Sequence, residues 1–441
     1  MNSHKRPEHP SFLQFFAYWL KLGFISFGGP AGQISMMHQE LVENRRWISE
    51  RRFLHALNYT MVLPGPEAQQ LATYIGWLMF GVSGGIVAGT LFVLPSLLIL
   101  IGLTWAYLEF GSVNYVEGIL YGIKPAVTAI VLFAAYRIGS KALANNTLKT
   151  VAALAFISIF FFNVPFPYIV LAAGLIGFFG VRFSPNTFSV SGHTNTQNNG
   201  YGLALIDDET PTPSHAMFSW NKAAMFLLVG LGVGFSAIFL ISNPVLHEMG
   251  KFFTKAALVT FGGAYAVLPY VYQGGVEQYG WLTANQMIDG LALGETTPGP
   301  LIMVVAFVGF VGAVTKEVFG ADATLLSGLA GASVATLFTF LPSFMFIFLG
   351  GPGVEATRGN LKFSAPLSAV TAAVVGVIVN LAVFFAEEVI WPSNIESLDW
   401  SALAIGFISF VLLFKNRLGI MSVIAGSALI GIIIVLLKTL I

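Results

Sequence analysis

No cysteine occurs in this 441-residue chain, so disulfides, thiolate metal sites and a cysteine nucleophile are excluded at the outset. Charge is scarce as well. Asp, Glu, Lys and Arg together make up 10% of the residues, against roughly 25% in a soluble domain, and the 21 basic side chains balance the 21 acidic ones. That balance suggests neither a nucleic-acid patch nor an acidic tail as the basis of function. Apolar residues reach 56% and mean hydropathy is +0.78, too much apolar surface for a water-soluble core. The chain reads as a membrane protein. Apolar segments hold no His-Glu-x-x-His and no paired aspartates, so neither an intramembrane enzyme nor a metal or other cofactor is expected. Lys5 and Arg6 precede the first apolar run, but no small-residue cleavage site follows it, and the run reads as a retained membrane element.

What is present is a duplication. Phe27-Gly28-Gly29 returns as Phe261-Gly262-Gly263, Trp47 as Trp281, and Pro64-Gly65-Pro66 as Pro298-Gly299-Pro300, each 234 positions later. The register then slips as an insertion would make it. Pro95-Ser96 matches Pro342-Ser343 at 247, and Ala126-Val127-Thr128-Ala129 matches Ala369-Val370-Thr371-Ala372 at 243. Two halves with helix-interrupting Gly and Pro at matching places are the signature of a secondary transporter whose binding site lies at the repeat interface.

Apolar stretches fall at about 11–30, 53–80, 84–108, 118–139, 148–163 and 166–182, and again at about 252–271, 286–313, 324–349, 364–386, 399–414 and 418–440. An unpaired one lies at about 220–241. A span needs roughly 20 apolar residues, so the short stretches flanking Asn163-Val164-Pro165 are expected to form a tight pair. Residues 184–219, rich in Ser, Asn, Thr, Gly and Pro with Asp207-Asp208-Glu209, read as a mobile polar linker. The expected organisation is a first repeat over 1–183, the linker over 184–219, a connecting transmembrane segment over 220–250 and a second repeat over 251–441.

The unpaired stretch sets parity. With an even number of crossings per repeat, the second repeat enters the bilayer from the opposite side. By the positive-inside rule Lys5, Arg6, Arg45, Arg46, Arg51, Arg52, Arg137, Lys141, Lys149, Lys415 and Arg417 are cytoplasmic, while Glu387, Glu388, Glu396 and Asp399 share a loop without Lys or Arg. Both the N-terminus and the 45–52 loop then lie inside, although an apolar run separates them. That run is expected to enter, break at Phe27-Gly28-Gly29 and return, and the Pro-Gly-Pro segments invite the same reading, since Pro removes an N–H and clashes with the preceding turn. Two ordinary kinked spans give the same parity. The fold class expected is an all-α polytopic membrane protein with two homologous inverted repeats, their helices broken or re-entrant at these motifs.

A helix that starts inside the membrane leaves orphan N–H groups and about half a positive charge at its N-terminus, which suits an anion. A single glycine-rich break is more often a packing device. The same break at symmetric positions points to a site including Phe27, Gly28, Gly29, Gln33, Phe261, Gly262 and Gly263. Lys21, six residues before the first break, either reaches the cavity mouth or snorkels to the interface. Glu67, Gln69 and Gln70 follow the first Pro-Gly-Pro, and Glu295, Thr296 and Thr297 precede the second. The amides and hydroxyls can donate to an oxyanion, whereas a carboxylate repels one unless protonated. That opposition makes Glu67, and after it Glu295, candidates for proton coupling; the plainer alternative for each is a helix cap or a packing carboxyl. His38, Glu40, His55 and Asp289 read as structural, and Arg45, Arg46, Arg51 and Arg52 as topology determinants rather than an anion funnel.

Four stretches in order carry a family likeness: Trp19-Leu20-Lys21-Leu22-Gly23-Phe24-Ile25-Ser26-Phe27-Gly28-Gly29-Pro30, Leu63-Pro64-Gly65-Pro66-Glu67-Ala68-Gln69-Gln70, Thr260-Phe261-Gly262-Gly263-Ala264-Tyr265 and Thr296-Thr297-Pro298-Gly299-Pro300. With the duplication, the chain resembles the chromate ion transporter family in its long, two-domain form, outside the 184–219 linker and the 220–241 segment. The resemblance implies a multi-pass protein of the bacterial inner membrane that exports chromate as a proton-driven antiporter and confers chromate resistance; a homodimer is one arrangement it allows. Sulfate, a tetrahedral dianion of similar size, stays open as the substrate. A channel would not need alternating access, and saturable, proton-dependent flux separates the two.

Overall fold

The computed structural model describes residues 6–27, 29–111, 113–183, 201–261, 263–356, 364–391, 398–415 and 417–440. Among them are sixteen α-helices. The first half contains α1 (Phe12–Ile25), α2 (Gly29–His38), α3 (Glu50–Val62), α4 (Glu67–Phe110), α5 (Asn114–Ala142), α6 (Asn146–Phe162) and α7 (Phe166–Phe183). After α8 (Trp220–Leu240) the second half contains α9 (Pro244–Val259), α10 (Leu268–Tyr272), α11 (Ala284–Thr296), α12 (Val304–Thr315), α13 (Thr324–Ala356), α14 (Ser364–Ile390), α15 (Trp400–Phe414) and α16 (Ile420–Leu440). By length and composition six helical segments are apolar enough to cross a membrane. The counterpart of α1 begins at Pro244, capped by Asn243, so the second unit starts a few residues ahead of the boundary expected at 251.

The duplication extends to backbone geometry. A wide π turn follows α2 at Gln39–Asn44 and recurs at Gln273–Gln278. Ser49 caps α3 and Thr283 caps α11, each side chain accepting from a backbone N–H three residues on. Arg46 and Gly280 share a left-handed conformation, with φ of 52° and 55°.

In each repeat two helical hairpins have the sequence breaks as their tips. Tyr18 in α1 lies 5.3 Å, ring to ring, from Trp47, and the equivalent Phe252 lies 5.3 Å from Trp281. The chain therefore goes out along α1, turns at Phe27 and comes back. Across the first Pro-Gly-Pro, Tyr59 and Tyr74 approach to 5.8 Å, whereas a continuous helix would hold them about 22 Å apart. Across the second, a Cβ added to Gly290 would meet the Phe307 ring.

The 44-residue helix α4 has the length of one long span but is folded too. Phe80 (φ −130°, ψ 20°) and Gly81 (φ 65°, ψ −154°) reverse it, a conformation that favours glycine at the second position. Its arms close through small residues: a Cβ on Gly76 would lie 2.6 Å from Ala88 Cβ, as one on Gly309 would from Ala335 Cβ in the second half. The sequence Gly81-Val82-Ser83-Gly84-Gly85 has nucleophile-elbow spacing, but it builds this reversal, and exposed Ser83 donates to the Phe80 carbonyl at 3.0 Å.

The outgoing arm of α4 shows how the repeats are related. At one end Phe80 packs on Phe15 at 4.7 Å, beside Trp47. At the other, Tyr107 donates to Asp289 Oδ2 at 3.0 Å, in the helix that follows Trp281. The intervening 27 residues measure about 40 Å of helix, so the hairpin bases of the two repeats lie at opposite ends of the bundle, as inverted repeats require. In a chain without cysteines, Glu43→Cys and Glu277→Cys, both exposed and 234 residues apart, are expected to react with an impermeant thiol reagent from opposite faces of the membrane. Labelling of both from one face would overturn the inversion.

Around the hairpins α5 packs on α14, α15 and α16, while α6 and α7 both lie against α14. The short pair is joined by Asn163 in the left-handed conformation (φ 48°, ψ 36°) and leans on α14. Of the expected linker, 184–200 lie outside the described residues. The remainder is not loose. Leu205 and Ile206 donate backbone hydrogen bonds to Arg46 and Trp47 carbonyls at 2.8 and 3.0 Å, Ser49 Oγ donates to Asp208 at 2.6 Å, and His215 Nε2 contacts the Trp77 carbonyl at 2.8 Å.

Candidate functional site

The hairpin tips of the two repeats meet one another. Gly65 N–H donates to the Thr260 carbonyl at 2.8 Å, and Gly299 N–H donates to the Ser26 carbonyl at 2.8 Å. Ser26 and Thr260, like Gly65 and Gly299, are 234 residues apart. The contact is therefore reciprocal, the pattern a two-fold axis imposes. Each Pro-Gly-Pro tip also touches the middle of the other repeat's long helix: a Cβ on Gly65 would lie 2.7 Å from Ser343 Oγ in α13, and one on Gly299 would lie 2.6 Å from Ser96 Cβ in α4. Both tips run with φ above 100°, 115° at Gly65 and 104° at Gly299, so glycine is required twice over, by conformation and by space.

Polar side chains gather where the tips join. Gln33 of α2 donates from Nε2 to the Gly299 carbonyl at 2.5 Å and to the Ser26 carbonyl at 3.3 Å. Gln70 donates to the Pro64 carbonyl at 2.7 Å and to Ser343 Oγ at 3.3 Å. Among the described residues, Ser26 Oγ, Ser96 Oγ, Gln33 Oε1 and Gln70 Oε1 are buried without a hydrogen-bond partner. Leaving a buried polar group unpaired costs about 1–3 kcal/mol, so these four atoms make the tip junction a candidate for holding a polar guest. Gly29, with φ of 68°, has open space around its Cβ position at the start of α2, where backbone N–H groups lack helical partners.

Two carboxylates border this centre. Glu67 opens α4 directly after Pro66 and is half-buried; its Oε1 lies 3.9 Å from the Cβ position of Gly263 in the opposite repeat, and it makes no hydrogen bond among the described residues. The first-half residue thus faces the second-half tip. Glu295 is tied down instead, accepting from Tyr265 Oη at 2.6 Å, with the charge of Arg137 acting on both.

Comparison with known proteins agrees with this architecture. The chromate transporter family profile matches residues 13–178 and 247–432, one match in each repeat. The chain belongs to the chromate transporter family. It is 30% identical over 431 residues to a chromate transport protein of Cupriavidus metallidurans, covering 98% of this chain and 94% of that one. It is 33% identical over 433 residues to a chromate transport protein of Pseudomonas aeruginosa, covering 96% and 93%, and 30% identical over 385 residues to a probable chromate transport protein of Synechococcus elongatus, covering 87% of each. No solved structure matches. This is a family of transport proteins, not enzymes.

Within the transporter, the structure brings together only part of the residue set expected from sequence. Gln33, Gln70, Gly29, Gly65, Gly299, Gly263 and Glu67 converge at the tips, while Phe27, 38% exposed, and Phe261 flank them. Gly28 and Gly262 lie outside the described residues. Lys21 does not converge: it is exposed on the outer face of α1, and its charge acts on Glu40 near the hairpin base. Thr296 and Thr297 are near, but their hydroxyls donate to Leu293 and Gly294 carbonyls at 2.9 and 3.0 Å, so they offer a ligand no donor. Gln69 turns into the α4 hairpin, where its Nε2 donates to Thr73 Oγ1 at 3.1 Å against Gly89. Arg45 is held at the base by Glu40 at 2.7 Å and lies over Tyr18 and Trp47, an anchoring role.

Sequence reasoning missed Ser26, Ser96, Ser343, Tyr265 and Arg137. Two signals were available. A hydroxyl residue precedes Phe-Gly-Gly in both halves, as Ser26 and Thr260, and the Pro95-Ser96 repeat at Pro342-Ser343 puts a serine beside a mid-helix proline in each long helix.

Proposed function

We propose that the chain exports chromate across the bacterial inner membrane in exchange for protons, and that the anion is held where the four hairpin tips meet. The observation that carries this reading is the reciprocal contact of Gly65 with Thr260 and Gly299 with Ser26, midway along α4 and α13, with unpartnered buried polar atoms around it. The hydroxyls of Ser26 and Ser96 and the backbone at the start of α2 supply donors without a fixed positive charge, which suits a dianion that must be released again. Broken helices at mid-depth, lining an internal site between inverted repeats, are the arrangement by which secondary transporters alternate access.

Charge supports the direction. The face carrying Arg45, Arg46 and Arg51 is cytoplasmic by the positive-inside rule, and the opposite face, carrying Glu387, Glu388 and Asp399, repels re-entry of an exported anion. Proton coupling is assigned to Glu67, an unbonded carboxylate across from the opposite tip.

Radiolabelled chromate uptake into inverted membrane vesicles tests the proposal. Uptake is expected to saturate, to rise when the lumen is made acid, and to persist in excess sulfate. Full competition by sulfate would reassign the substrate, and indifference to the pH gradient would remove the proton.

A further inference from the structure

A polar cavity of about 500 Å³ lies away from the tips, at the end of α4 where Tyr107 meets Asp289. Asp289 is 3% exposed. Its Oδ2 accepts from Tyr107 and faces Lys124 Nζ of α5 at 3.4 Å, while its Oδ1 has no partner among the described residues. Lys124 also donates to Asn285 Oδ1 at 3.2 Å, and Asn285 Nδ2 donates to Glu388 Oε1 at 2.7 Å. A continuous chain of polar groups thus runs from half-buried Glu388 through Asn285 and Lys124 to buried Asp289.

The other charged groups around Asp289 are few. Glu117 and Tyr121 face the cavity from α5, and Asp399, at the start of α15, accepts from Tyr121 Oη at 2.8 Å. Lys438 of α16 sits 5.1 Å over the Tyr121 ring. Four carboxylates therefore face two ammonium groups, and the cavity favours cations. Its volume has room for several waters. Among the described residues, no three carboxylates or imidazoles are grouped to hold a metal ion, and the ammonium of Lys124 already occupies the face of Asp289 where one would bind.

We propose that this cavity is the proton port of the transporter, with Asp289 as the accepting group. A hydronium in the cavity gives its proton to the Asp289 carboxylate and leaves as water; the carboxylate becomes neutral, and Lys124 keeps its charge and turns to the Asn285–Glu388 side. The Lys124–Asp289 pair joins the first repeat to the second, so its loss frees α11, the helix that carries Glu295, to move against α5. The cavity lies at the acidic face, opposite the arginine loop, which is the side from which protons must enter if chromate leaves. The inference rests on the proton-exchange reading above and assigns a working role to Asp289, a residue whose sequence context reads as structural.

Two experiments test the port, the first without chromate or a gradient. In the cysteine-free chain, Leu120→Cys on the cavity wall is treated in intact cells with impermeant cationic or anionic methanethiosulfonates. The cationic reagent is expected to react at least tenfold faster, with the ratio collapsing in Glu388→Gln; equal rates or an anionic preference would overturn the port whatever the transporter carries. The second compares pH-gradient stimulation of chromate uptake in Asp289→Asn vesicles with that of the parent, and a loss of more than tenfold is expected. Because Asp289→Asn strands a buried lysine, the paired Lys124→Met/Asp289→Asn variant guards against misfolding and is expected to show the same loss. Parental stimulation in either variant overturns the proposal. A parent without stimulation instead removes proton exchange itself, leaving the reagent ratio to decide whether the cavity selects cations.

Discussion

Gly65→Ala and Gly299→Ala are each expected to lower chromate transport more than tenfold while the protein still inserts at full length. Both positions have φ near 110°, a region that side chains rarely adopt, at a cost on the order of 1–3 kcal/mol. Space adds to this. The new Cβ would lie 2.7 Å from Ser343 Oγ and 2.8 Å from Gln70 Nε2 at the first tip, and 2.6 Å from Ser96 Cβ at the second. Relief by a shift of the tip withdraws the Gly65 or Gly299 N–H from its carbonyl in the other repeat and disturbs the serines and glutamines around the site. Gly102→Ala is the control: its added Cβ meets nothing within 4 Å, and transport should stay within about twofold of the parent. Parental flux in both tip variants would show that the tips are packing devices and that the anion binds elsewhere.

The second large effect is expected from Glu67→Gln, which mimics the protonated carboxyl without changing its shape. Under the proposed mechanism, chromate transport by this variant should lose its response to an imposed pH gradient, because the carboxyl proposed to alternate between charged and neutral is fixed as neutral. Glu295→Gln should lose less, since Tyr265 at 2.6 Å and the nearby charge of Arg137 hold that carboxylate in one environment. The measurement is chromate uptake into inverted vesicles at several lumenal pH values with a constant external pH. An unchanged response in Glu67→Gln would take this residue out of the mechanism.

Much of the candidate site's framework was legible because helix breaking is local chemistry. Proline lacks an N–H and glycine lacks a Cβ wherever the chain goes, so Pro64-Gly65-Pro66 and its copy had to interrupt helices. The same motifs do not say whether the chain continues or reverses. Ring contacts 15 and 29 residues apart, Tyr59 with Tyr74 and Tyr18 with Trp47, settle that question. Side-chain direction was less accessible. Lys21 faces outward because the buried stripe of α1 is made of Phe15, Tyr18, Trp19 and Leu22, and it falls off that stripe. Thr296 and Thr297 end a helix, and nearby carbonyls take their hydroxyls before any ligand can.

By itself, the sequence determined that this protein lives in a membrane, is built twice, and breaks its helices at four places, since composition, repetition and backbone chemistry act at short range. Only the tertiary structure decided which breaks face each other, that Ser26 and Ser96 join the centre, and that Lys124 and Asp289 pair across the repeats. Those partners are 161 to 273 residues apart along the chain, as in Lys124 with Asn285 and Gln70 with Ser343. No local preference encodes such pairings; they follow from packing two copies of one fold about a two-fold axis, where small residues let backbones close and buried polar groups at the tips meet partners in the other half.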